Sequence, residues 1–151
     1  LANEPNDGFF ATTVHELTHA FIDQLVQGRP VPTWLHEGLA RWVERAETGG
    51  DYIGYGEREM LRRLRDVKQL PTMRQLSEGR SAFSGSLVGA AYAKSSAAIE
   101  SIVDGPGGMA KLVGVLEETG AGTEFEAAVE RAFGARRIDR LDAEVDALIG
   151  K

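Results

Sequence analysis

The chain reads as mainly α-helical, and three features of its 151 residues say so. Apolar side chains recur at three- and four-residue spacing over most of its length, the period of a half-buried helix. Glycine and proline clusters at 28–32, 49–50 and 105–108 separate those segments. Runs that alternate apolar and polar residues, as strands do, are almost absent.

Residues 1–8 are polar, and Pro5 and Asp7-Gly8 lead into a first helix for which Asp7 is a candidate cap. That helix spans about 9–27. Phe10, Val14, Leu17, Ala20, Phe21 and Leu25 share one side of it and are expected to face the core, with His15 and His19 beside the stripe. Gly28, Pro30 and Pro32 end it. Thr33 is then expected to cap a second helix over about 33–48, running through Trp34, Leu35, Leu39, Ala40 and Val43 and stopped by Gly49-Gly50. Trp34 and Trp42 read as core or as a wall of a cleft, and Asp51 to Tyr55 as a loop across its mouth.

A third helix over about 57–67 should turn Met60, Leu61, Leu64 and Val67 inward and its arginines outward. A short helical turn follows Leu70-Pro71-Thr72, and 79–85 reads as loop. An alanine-rich helix covers about 86–103, with Leu87, Ala91, Ser95, Ala98 and Ile102 in register. Three smaller helices, 109–119, 124–133 and 138–149, close the chain. Thr123 and Glu126 have the spacing of a capping box, and Phe125, Val129 and Phe133 form one apolar line. Residues 1–151 are the size of one domain with one core.

Composition removes several functions. The 23 acidic and 17 basic residues leave a net charge of -6 with no basic block to track phosphates, so nucleic acid is not an expected partner. The arginines at 58, 62, 63 and 65 are interrupted by Glu57, Glu59 and Asp66 and read as a solvated surface. No apolar run approaches the ~20 residues of a membrane-spanning helix, and residues 1–20 lack the order of a secretion signal. With no cysteine, disulfides and thiolate metal sites are excluded. Ser95 and Ser96 have no histidine after them to activate a nucleophile.

The chemistry concentrates in His15-Glu16-Leu17-Thr18-His19. Residues four apart on a helix lie about one turn apart on nearly the same side, so His15 and His19 can reach one ion while Glu16 stands beside them. A hydrolytic zinc ion needs a third protein ligand and an open position for water. Glu37 is the best candidate, eighteen residues beyond His19 and just after the Gly-Pro turn, in the first turn of the second helix. His36 is its rival, because neighbours on a helix diverge by about 100° and cannot both face one ion. Glu16 is placed to act as general base toward a metal-activated water. Tyr92 is the first choice as donor to the oxyanion and Tyr55 the second. Glu44, Asp23 or Glu47 is expected to accept the second ring hydrogen of a ligand histidine.

The runs HELTHAFIDQL and PTWLHEGLARWVE, followed by LPTMRQL, by Ala91-Tyr92-Ala93-Lys94-Ser95, by a glycine break and by EFEAAVERAFG, strongly resemble the peptidase MA-like domains. These are gluzincins, distantly related to thermolysin, and the likeness covers about 10–149. The resemblance implies a zinc metallopeptidase acting on peptides or proteins, with His15, His19 and Glu37 as ligands, Glu16 as base and Tyr92 as stabiliser. It also implies a bacterial protein, often exported or membrane-associated. Zincins of this type place a small sheet ahead of the motif helix, and fourteen residues before His15 are too few to form it. The chain is therefore expected to be the helical part of a longer zincin-like parent, whose upstream sheet would be its partner. The competing expectation is a noncatalytic binding or scaffolding module that keeps the same helices.

Overall fold

A computed structural model describes residues 7–150, and these form an almost entirely helical fold with no strand among them. The helices are α1 (Asp7–Val26), α2 (Thr33–Thr48), α3 (Tyr55–Asp66), α4 (Met73–Glu78), α5 (Val88–Val103), α6 (Gly108–Gly120), α7 (Phe125–Phe133) and α8 (Arg137–Gly150). The stretch read as loop after α4 instead winds into two short 3₁₀ turns, Arg80–Phe83 and Gly85–Leu87. The expectation that Asp7 caps α1 lies outside the described side chains.

α5 is the centre of the packing and meets α2, α3, α6 and α8. Its alanines at 90, 91, 93, 97 and 98 are buried, and their small side chains let neighbouring helices approach closely. The buried hydroxyls of Ser95 and Ser96 donate to the carbonyls of Ala91 and Tyr92 on the same helix, leaving neither without a partner. Lys94 is buried as well. Its ammonium donates to the Pro71 carbonyl at 2.6 Å and to the Asp142 carboxylate, which also accepts from the Met73 amide. One buried charge therefore ties α5 to the start of α4 and to α8, and it is tolerable in the interior because it is paired.

Local chemistry sets the ends of the helices. Gly49 adopts a left-handed conformation, φ 74°, and closes α2, as the Gly-Gly pair suggested. Thr72 and Gln75 form a capping box at the start of α4. Two cap expectations are corrected. Thr33 is the first helical residue, with Pro32 before it and no side-chain cap, so His36 and Glu37 sit just past the first turn of α2. Glu124, not Thr123, caps α7 by accepting from the Ala127 amide. The α3 arginines are also more than a solvated surface: Arg58 and Arg62 donate to the carbonyls of Leu148 and Ile149, which α8 itself cannot satisfy. Val67, expected inward, is exposed.

The larger correction concerns α1. The helix packs on α2 and α6 through Thr18, Ile22 and Val26, whereas Phe10, Leu17 and Phe21 remain 52%, 63% and 52% exposed. The stripe expected to face the core is thus largely outward, and the side that carries the histidines faces α2 instead. The outward stripe borders an apolar hollow of about 660 Å³ between α1, α2 and α6.

Candidate metal centre

α1 and α2 form an antiparallel hairpin, and their charged faces meet in register. Going up α2, His36 faces Asp23 at 3.8 Å, Glu37 faces His19 at 3.9 Å, and Glu44 faces His15 at 3.0 Å. Glu37 and Glu44 share one face because seven residues make two helical turns. The descending order of 23, 19 and 15 on α1 is what places Glu37 between both histidines.

The Glu37 carboxylate lies 3.7 Å from His15 Nε2 and 3.9 Å from His19 Nε2, and one donor atom from each of the three lies within 4.8 Å of the others. The two rings stand edge to face, with centroids 4.9 Å apart. A tetrahedral ion with bonds of ~2.0–2.2 Å wants its donors ~3.3 Å apart, so small side-chain rotations would complete the set. Two imidazole nitrogens and one carboxylate oxygen, all partly buried, therefore fit a divalent metal ion. His36 stands outside this trio, its ring 5.7 Å from that of His19.

Two open hollows flank the trio. One, of about 520 Å³, is lined by His15, Glu37, Arg41, Glu44, Glu57, Met60, Gly89 and Tyr92. The other, of about 760 Å³, is lined by His19, Asp23, Arg29, Thr33, His36, Glu37, Phe83 and Tyr92, with the Pro30-Val31 turn. Tyr92 borders both and packs edge to face on Phe83. Glu16 is exposed on α1. Tyr55 begins α3 at 78% exposure and, like Glu16, lines neither hollow.

Residues 7–149 match the model of the peptidase MA superfamily. The chain belongs to that superfamily. No curated protein and no solved structure matches it. For a peptidase MA chain, two imidazoles and a carboxylate able to hold a metal ion give a metallopeptidase-like character that superfamily membership and geometry support together.

Sequence reasoning missed the frame around the trio. Glu57, on α3, accepts from Arg41 at 2.5 Å, from Arg45 at 2.9 Å and from the Gly54 amide at 2.9 Å. Arg45 also donates to the carbonyls of Asp51 and Tyr52, so the loop after α2 is stapled to α2 beside the cluster. Trp42 stacks on Tyr52 with centroids 4.9 Å apart and donates to Glu100. Interruption of the arginines by acids was the available signal. Which acid pairs with which arginine depends on how the helices are arranged.

Burial of Glu57 opposes ionisation, but hydrogen bonds from Arg41, the Gly54 amide and Arg45 outweigh it and hold the carboxyl below its ordinary value of 4.5. A depressed carboxyl stabilises the fold fully above its unfolded value, and that contribution fades as pH falls through the folded one. Glu57→Gln should therefore lower the urea midpoint most above pH 4.5, with the gap to wild type narrowing in more acidic solution. A gap independent of pH from neutral to acid would refute the assignment.

Proposed function

We propose that the chain is a zinc-dependent metallopeptidase domain in which His15, His19 and Glu37 hold one zinc ion and Glu16 is the general base. The observation that carries this reading is the convergence of the three donor atoms within 4.8 Å in a chain of the peptidase MA superfamily. Two histidines and a carboxylate, with no thiolate, are a donor set of catalytic rather than structural zinc. Such an ion acidifies water and polarises a peptide carbonyl when bound.

The chain's own groups supply the rest. Glu16 follows His15 directly, and its exposed carboxylate accepts the proton lost by the attacking water and delivers it to the departing amine. Tyr92 borders both hollows beside Glu37, where its hydroxyl is the donor proposed for the negative charge developing on the carbonyl oxygen. The substrate is a peptide or protein, lying across the trio from one hollow to the other. The exposed face of Phe10, Leu17 and Phe21 favours a second reading, a binding or scaffolding module without turnover.

Elemental measurement on the purified protein should find close to one zinc per chain. Glu37→Gln should lose that zinc, because a neutral amide is a poor ligand and the two histidines alone bind weakly. Wild-type protein that takes up no zinc, or a Glu37→Gln variant that keeps it at wild-type affinity, would end the metallopeptidase reading. Zinc retained by a protein that cleaves no peptide would favour the scaffolding one.

A further inference from the structure

We infer that Glu44 is the positioning residue of the metal centre, fixing His15 through the ring nitrogen that faces away from the trio. The inference rests on the zinc reading above and adds a residue to it. His15 Nδ1 lies 3.0 Å from Glu44 Oε2, while Nε2 of the same ring points at Glu37, 3.7 Å away. An ionised carboxylate only accepts hydrogen bonds, so the ring hydrogen of neutral His15 must sit on Nδ1. That leaves the Nε2 lone pair directed at the position where His15, His19 and Glu37 converge. One contact thus selects both the tautomer and the ring orientation that binding requires, and the negative charge behind the ring makes Nε2 a stronger donor to a cation.

The other acids near the hairpin do not offer this arrangement. Asp23 faces His36, which stands outside the trio, and Glu47 lines the apolar hollow on the other side of the hairpin. Glu44 lies two turns after Glu37 on α2, and Arg41 between them is tied to Glu57. The same hollow holds His15, Arg41, Glu44 and Glu57 together. Glu44 touches neither the trio's centre nor any reacting atom, so its effect passes through His15.

The test is zinc affinity, measured by competition with a chromogenic chelator on the 151-residue chain, with the visible spectrum of the cobalt-loaded protein as a second readout. Glu44→Ala should weaken zinc binding by about 10- to 100-fold and alter the cobalt bands. Glu44→Gln keeps an acceptor but not the charge, and should recover part of that loss. Glu47→Ala should bind as wild type does. If Glu44→Ala proves unfolded without metal, Glu44→Gln carries the test alone, with a smaller loss expected. Zinc affinity within about threefold of wild type in the folded Glu44 variants, alongside loss of zinc in Glu37→Gln, would overturn the role of Glu44 and leave the metal reading standing. Wild-type protein that binds no zinc would overturn both.

Discussion

Glu16→Gln should leave zinc bound and lower kcat/KM for peptide cleavage by about 10²- to 10⁴-fold, the range a positioned general base contributes. That loss corresponds to ~3–5 kcal/mol of transition-state stabilisation. The substitution keeps the shape of the side chain and removes only its ability to take a proton. Because Glu16 lies outside the trio of donors, metal content should not change. Zinc analysis on the same sample therefore separates this variant from Glu37→Gln, where activity falls because the ion is gone. Retention of activity within a few fold would remove Glu16 from the mechanism, and loss of zinc would make it a ligand.

The helical character of the chain and the residues of the trio were legible in the sequence for different reasons. Helices announce themselves by period and by their stops, and Gly28, Pro30, Pro32 and Gly49 bracket α1 and α2. The trio was legible because the spacing of His15 and His19 is local and the short turn restricts where Glu37 can return. What lay beyond reach depends on how helices cross. Phe10, Leu17 and Phe21 make as regular a stripe as Thr18, Ile22 and Val26 do, and only the packing of α1 on α2 and α6 decides which is buried. Hydropathy alone favoured the wrong face, because a face bearing two histidines and a threonine scores as polar. Glu44, Asp23 and Glu47 were equivalent for the same reason, until the antiparallel register put Glu44 behind His15.

Gly38→Ala should be among the most damaging small substitutions in the chain, because it acts on that crossing. A Cβ at Gly38 would lie 2.6 Å from the Ser95 carbonyl oxygen, 2.8 Å from its carbon and 2.9 Å from Ile99 Cγ1. Two of these atoms are backbone of α5, which is buried among four other helices and cannot yield as a flexible side chain would. Alanine is the better helix former by about 1 kcal/mol, but overpacking a well-packed core costs typically ~1–3 kcal/mol and more against backbone, so the clash wins. Relief of the clash requires α2 and α5 to separate. Glu37 precedes Gly38, and Tyr92 lies three residues before Ser95 on α5, so any displacement there pulls the carboxylate from the histidines and shifts Tyr92 across the hollows. Loss of stability and loss of zinc affinity should therefore appear together. Gly114→Ala supplies the control: inside α6, with nothing within 4 Å of its added Cβ, it should raise stability by up to about 1 kcal/mol and leave zinc binding unchanged. If Gly38→Ala melts at the wild-type temperature with unchanged zinc affinity, then close contact between α2 and α5 is not what sets the site.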